Sequence, residues 1–429
     1  MNPPRLLATL AALLPAAASA ELASGPVTGE LQGYLESRHH LFFGLDEGFD
    51  ALSPVLPDGY HPDQRYGAVE RLRPTLKLRV GEGATLVATA EAQTTHGFFD
   101  RRQDELEDVV AVERLYFTAS LDDWDHTAGK QNIAWGSGLL LNPTDLFNEK
   151  NPADLQAERP GVWALRSLWA ITDASNLTLV AATPEAPCCD VTAIARWDIT
   201  LDLTDLAVEA AWENAREAAV VGVDLRSELE VGVWVEAATT IPKDAPDQAK
   251  TSLEAGLDYS FDVLQTLFLA AEYMFQQGGR DEPGDLLSKT SLLAASRQSG
   301  ADPASGLAGA FADRPMFLGK HYAVGLVRLE ISSEWRAQAL NVTHLGDLTG
   351  MVVPQISYLP AEAWTFTLGA QLTYGEEGGE YTLTLPRLTS FEETAVKLQS
   401  PQLGPALISL QGARVIPAAS VFLWGRHAF

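Results

Sequence analysis

Apolar and polar residues exchange places at every second position over most of this chain. That is the rhythm of a strand with one greasy face and one wet face. The stretch "RLRPTLKLRV" shows it plainly. Arg71, Arg73, Thr75, Lys77 and Arg79 fall on one face, and Leu72, Pro74, Leu76, Leu78 and Val80 on the other. Eighteen such segments can be read, near 28–38, 69–80, 84–94, 109–120, 123–133, 161–172, 175–183, 191–202, 205–215, 218–226, 229–239, 251–261, 265–276, 319–331, 334–344, 351–359, 363–375 and 416–429. Each is about ten residues long, the length a tilted strand needs to cross a bilayer.

The links between segments alternate as well. Long ones (39–68, 95–108, 134–160, 277–318, 376–415) are interleaved with tight turns such as "GEG" at 81–83 and "DA" at 173–174. Long loops on one side and short turns on the other are the habit of a bacterial outer-membrane barrel, with both termini in the periplasm. The expected fold is therefore all-β: a transmembrane antiparallel β-barrel of about eighteen strands. Sixteen stays open, because 376–415 is ambiguous. A soluble sandwich would not carry outward Leu and Val on every strand. Trp163, Trp169, Trp197, Trp212, Tyr273, Phe275, Tyr358, Trp364 and Trp424 fall near strand ends, where they would form interfacial girdles. Pro74 costs one ladder hydrogen bond, and a bulge or local edge near the extracellular rim would accommodate it.

Composition narrows the picture. The chain has 429 residues and a formal charge of −27, with a mean hydropathy of −0.02. Past residue 20 there is no long apolar run, so no transmembrane helix is encoded. Polybasic clusters are missing, which argues against nucleic acid as a partner. "MNPPRLLATLAALLPAAASA" has one cation, an apolar stretch and a closing Ala18-Ser19-Ala20. It reads as a signal peptide over 1–20, leaving 21–429 as the barrel domain. The adjacent Cys188 and Cys189 are too close for an unstrained mutual disulfide and read as a free pair in a loop, with a cross-link between two chains or a soft-metal site as the alternatives.

Charge on the expected inner face is segregated. Arg71, Arg73, Lys77, Arg79, Arg114, Lys130 and Arg166 come from the first strands, with Glu91 the main exception. Asp198, Asp202, Glu209, Glu213, Asp224, Glu230, Glu236, Glu254, Asp258 and Glu272 come from the middle ones, with Arg196 and Arg226 as exceptions. In a closed barrel the two arcs would face each other across the lumen, a cationic wall opposite an anionic one. The alternative is local pairing that cancels the field.

The loop at 134–160 holds two near-copies, "NPTDL" and "NPADL". Asn before Pro, with Asp following, is a helix-start pattern, so two short helical turns are expected. Asn142, Asp145, Asn151 and Asp154 would then belong to a loop that folds inward and narrows the pore, or to an external loop. Neither a zincin spacing, a G-x-S-x-G elbow nor a P-loop is present, so no catalytic residue, metal or cofactor is expected.

Two resemblances sharpen the reading. A final aromatic, Phe429, after the alternating "SVFLWGRHAF" resembles the C-terminal signature that barrel-insertion machinery recognises in outer-membrane barrels. Gly129-Lys130-Gln131 followed by Trp135-Gly136, together with "NVTHLGDLTGMVVPQISYLPAEAWTFTLGAQLTYG", resembles porin-like and alginate-export-type outer-membrane proteins. These motifs cover under a quarter of the chain. The resemblance implies a channel for passive diffusion of small hydrophilic solutes or ions. The partners expected are outer-membrane lipid and lipopolysaccharide, the latter drawn by divalent cations that acidic loops would concentrate. Oligomeric state is left open. An outer-membrane enzyme acting on lipid or polysaccharide, and a structural or adhesion barrel, are the alternatives.

Overall fold

A computed structural model describes residues 22–24, 27–43, 66–97, 110–140, 142–147, 159, 161–183, 190–281, 283, 317–382 and 418–429. The expected signal peptide at 1–20, Cys188 and Cys189 lie outside the described residues. So do Asn151 and Asp154.

The strands are β1 (Leu22–Ser24), β2 (Val27–Phe43), β3 (Tyr66–Val80), β4 (Ala84–Gly97), β5 (Val110–Leu121), β6 (Trp124–Gln131), β7 (Val162–Thr172), β8 (Ser175–Thr183), β9 (Thr192–Leu201) and β10 (Thr204–Glu213). They continue as β11 (Ala218–Glu228), β12 (Gly232–Pro242), β13 (Lys250–Phe261), β14 (Thr266–Gln276), β15 (His321–Glu330), β16 (Trp335–His344), β17 (Gly350–Ala361), β18 (Trp364–Tyr374) and β19 (Ala419–Ala428). From β2 onward each strand pairs antiparallel with the next. β19 then pairs with β2, from Ala419↔Phe43 to Ala428↔Tyr34, and closes the sheet into an eighteen-stranded barrel. β1 folds back on the start of β2. Closure leaves no open edge, the condition under which a sheet can sit in lipid.

The two-residue period decides which way each side chain points. On β13 and β14, Leu257 (51% exposed), Tyr259 and Tyr273 face outward, while Glu254 lies opposite Met274 and Asp258 opposite Ala270 on the inner face. The same parity holds around the barrel, and the outside is a band of Leu, Val and Phe. Moving this band from water into lipid favours insertion by roughly 25 cal/mol per Å².

Aromatic pairs cluster at the turn end of the outer face. Trp124 stacks on Trp169 at 5.5 Å, Trp335 on Tyr358 at 4.7 Å and Trp364 on Phe366 at 5.6 Å. Trp424 departs from the expected girdle. It shares a register row with Arg38 and points into the barrel, between the guanidiniums of Arg38 and Arg426.

Proline placement follows from the missing N–H. Pro74 pairs with Gly33 on β2, but the ladder to β4 skips from Leu72↔Ala92 to Thr75↔Thr89. Pro354 does the same on β17, pairing with Ala339 while the ladder to β18 jumps from Val352↔Leu372 to Gln355↔Gly369. Pro74 therefore sits in mid-strand and not at the rim. The neighbouring β4–β5 ladder takes up a bulge at Thr89/Ala90.

The C-terminus is fastened at the closure seam. Gly33 and Phe429 exchange two backbone hydrogen bonds, at 2.8 and 2.9 Å. The Phe429 ring packs on Leu72 and Ala92. A Cβ on Gly33 would stand 2.8 Å from that ring, so the close approach needs glycine.

Candidate functional site

The connection from β6 to β7 enters the barrel. Ile133 is buried against Ala164, Val180, Ile194, Ala211 and Val220, all on the inner wall. The chain then runs along that wall as far as β14. Ser137 donates from its N to Glu236 Oε2 (3.1 Å) and from its Oγ to Asp224 Oδ1 (2.7 Å). Leu139 N donates to Glu272 Oε2 at 2.5 Å. Thr144 gives both its N and its Oγ1 to Glu236 Oε1, each at 2.7 Å.

An irregular segment buried in a lumen has backbone donors that no ladder satisfies, and wall carboxylates supply the acceptors. Each such charge-assisted bond contributes about 1.5–3 kcal/mol. Two glycines let the backbone come this close. A Cβ on Gly136 would stand 2.6 Å from Glu236 Oε2, and one on Gly138 would overlap the Glu254 carboxylate.

Of the two expected helical turns, the one at 142–146 is a single turn closed by Asp145 N donating to Asn142 O at 2.9 Å, and the copy at 151–155 lies outside the described residues. Asp145 is buried and paired with Arg159. Asn142 lies against Gly136.

The acidic side of the wall is thus largely covered or paired. Glu236 and Glu254 are fully buried, and Glu209, Asp224 and Glu272 nearly so. Arg196 bridges Asp198 (2.9 Å), Glu209 (3.2 Å) and Asp224 (3.2 Å), and lies over the Trp135 ring of the inward loop. Arg226 reaches Glu228 and Asp258.

The opposite arc is organised differently. Glu36, buried, holds three guanidiniums: Arg38 at 2.6 Å, Arg71 at 3.5 Å and Arg426 at 2.7 Å. Glu91 holds Arg71 at 3.2 Å and Arg73 at 2.8 Å. Arg79 is half-exposed, 3.9 Å from Glu30. Among the described residues, these arginines outnumber Glu30, Glu36 and Glu91. A recess of about 310 Å³ opens beside them, lined among others by Gln32, Tyr34, Arg73, Thr75, Thr89 and Arg114.

Register places Arg71, Arg73, Lys77, Arg79, Arg114, Arg166, Asp198, Glu254, Asp258 and Glu272 on the inner face. Three candidates are corrected. Lys130 lies opposite Leu115, on the outer face near the loop end, where its ammonium donates to Val112 O at 2.7 Å. The odd residues of β6 point inward, and the run "HTAGKQ" alternates too weakly to reveal that parity. Glu230 sits in the turn between β11 and β12, because β11 runs on to Glu228 and β12 begins only at Gly232. Asp202 is likewise a turn residue. The sequence reading missed Ser137, Leu139 and Thr144, which use backbone donors that any residue carries, and it missed Glu36 and Arg426, whose partners lie across the closure seam.

At the loop end, Leu140 meets Phe317 and Tyr381 from two other connections. They pack together on Trp234, Met274, Tyr322, Val342 and Met351 of the wall. Segments from three connections therefore share one apolar cluster inside the barrel mouth.

No protein-family model and no curated protein matches the chain. Solved structures match it by shape. OccK5 (OpdH) of Pseudomonas aeruginosa superimposes with a TM-score of 0.51 at 10% identity, over 93% of this chain and 98% of that one. OccAB1 of Acinetobacter baumannii gives 0.54 at 6% identity, over 96% and 99%. Wzi of Escherichia coli, an outer-membrane protein involved in group 1 capsule assembly and described as a carbohydrate-binding β-barrel, gives 0.50 at 9% identity, over 99% and 87%. At such identities the likeness is one of fold. The chain has the closed eighteen-stranded barrel of outer-membrane porins, with the lipid-facing outside that fits that membrane.

Proposed function

We propose that this barrel is a porin that passes small hydrophilic solutes and ions by passive diffusion, and that it favours those bearing negative charge. The observation that carries the reading is the asymmetry of the lumen. The inward loop is seated on the acidic wall, so the surplus of guanidiniums on β2, β3, β5 and β19 is the charge left facing the passage. Low-dielectric walls focus such a field and raise the local concentration of anions. Discrimination in this reading is by charge and cross-section, with no bond made or broken. Phe429, packed at the closure seam, is the residue that insertion machinery would read.

Planar-bilayer currents test it. The wild-type barrel should conduct and prefer anions, and Arg73→Glu with Lys77→Glu should shift that preference towards cations several-fold. A current whose ion preference ignores the double substitution would refute the role given to the wall. A second reading, a carbohydrate-binding barrel of the kind Wzi's description gives, draws support from the filling of the mouth by Leu140, Phe317 and Tyr381. It predicts no steady current, together with saturable oligosaccharide binding.

A further inference from the structure

The apolar cluster in the mouth has a polar pin. Glu380, in a short helical turn (Glu380–Thr382) that follows β18, is buried inside the barrel. Its Oε1 accepts from Leu318 N at 2.7 Å, which ties the β18–β19 connection to the β14–β15 connection. The Tyr322 hydroxyl donates to both of its oxygens, at 2.8 and 2.6 Å. Its own backbone N donates to Asp347 Oδ2 at 2.8 Å. Asp347 in turn accepts from Thr349 N and Oγ1, and stands 2.9 Å from His344 Nδ1. His344 is 4.0 Å from Glu380 Oε2. Gly319 and Gly346 make room for the imidazole, since a Cβ on either would press into its ring. Tyr322, His344 and Glu380 are all 2% exposed or less, and Asp347 at their edge is partly exposed.

We propose that Glu380 is a pH-released latch, which holds the inward segments at 317–319 and 376–382 against the wall and lets them go as pH rises.

The groups facing it are Tyr322 from β15, His344 from β16, Asp347 from the β16–β17 turn and Tyr381 from its own turn. Tyr374 of β18 lies beside Tyr381, and the Lys320–Asp281 pair lies beyond the glycines. Burial pushes the Glu380 carboxyl up to about 7, against the opposing pull of the Tyr322 hydroxyl, Leu318 N and His344. Burial also pushes on Asp347, but backbone donors from Thr349 and Glu380 and the His344 ring outweigh it and hold that carboxyl below its ordinary range. Burial holds the Tyr381 phenol well above its usual range, so it stays neutral.

The sign follows. The seated Glu380 keeps its proton up to about 7, whereas a released carboxyl loses it near its ordinary value of about 4.3. The latch is therefore firmest below about pH 4.3, weakens through the interval up to about 7, and is weakest above it, a change on the order of a hundredfold in its closing equilibrium. Asp347 keeps its charge throughout that interval and does not oppose the trend.

The test is hydrogen exchange at the Leu318 amide in detergent micelles, normalised to intrinsic exchange, from about pH 5 to about pH 8. Wild-type protection should fall on the order of a hundredfold, and Glu380→Gln, a neutral isostere, should stay protected throughout. Tyr322→Phe should lower protection at every pH, since a seat bond is lost, and protection should still fall as pH rises. A flat wild-type profile, or a Glu380→Gln profile that tracks the wild type, overturns the latch. Its consequence for current rests on the channel reading, and the two are separable: a falling protection profile with no current keeps the latch and sinks the channel.

Discussion

The two sides of the lumen use the same chemistry to opposite ends. On β9 to β14 carboxylates are in surplus, and the fold spends them as acceptors for an irregular loop and as partners of Arg196. On β19, β2 and β3 guanidiniums are in surplus, and one buried carboxylate, Glu36, gathers three of them. The acidic side thereby becomes a seat and the basic side stays a surface. The groups turned to the wall explain the difference. Each loop residue carries one N–H donor and one carbonyl acceptor, and the inward loop turns the N–H groups of Ser137, Leu139 and Thr144 to the wall, where carboxylates accept them.

If that account holds, the largest effect belongs to Glu236→Ala. It strips the acceptor from Ser137 N, Thr144 N and Thr144 Oγ1 together, about 4.5–9 kcal/mol of seating. Single-channel conductance should rise several-fold, while the barrel's unfolding in detergent changes little. Unchanged conductance would mean that the loop is held by its apolar contacts alone.

Glu36→Gln should come next, at about 2–3 kcal/mol, because three guanidiniums lose their shared charge while part of the site is wet. Here the expected readout is crossed: ion preference should move towards anions, with the conductance step hardly altered. A change in step size without a change in preference would erase the distinction between seat and surface.

Gly138→Ala should be smallest, at about 1–3 kcal/mol, as its methyl meets the Glu254 carboxylate and lifts the loop locally. Conductance noise should increase more than mean conductance. Full wild-type behaviour would show that the seat adapts.

The sequence located every strand of the barrel to within a few residues, and the physical reason is locality. A strand's direction, its length and its two faces are written in the alternation of its own residues. "LFLAAEYMF" on β14 carries its outward Leu267, Leu269 and Tyr273 in plain view. Locality fails where alternation is weak, as in "HTAGKQ", and Lys130 changed faces for that reason. It fails again at strand ends, where Glu230 fell into a turn.

The site was less legible. Segregated charge was visible, yet its use was not, because seating a loop requires Ser137 to find Glu236 ninety-nine residues away and Leu139 to find Glu272 at a separation of 133. Backbone donors leave no mark on composition, and no period links such partners.

By itself, then, the sequence determined a closed membrane barrel, because lipid outside and polar groups inside impose a two-residue rhythm that each strand must obey alone. Only the tertiary structure decided which charges face the passage. That choice depends on curvature bringing distant strands together and on where a loop without repeating pattern finds acceptors for its amides.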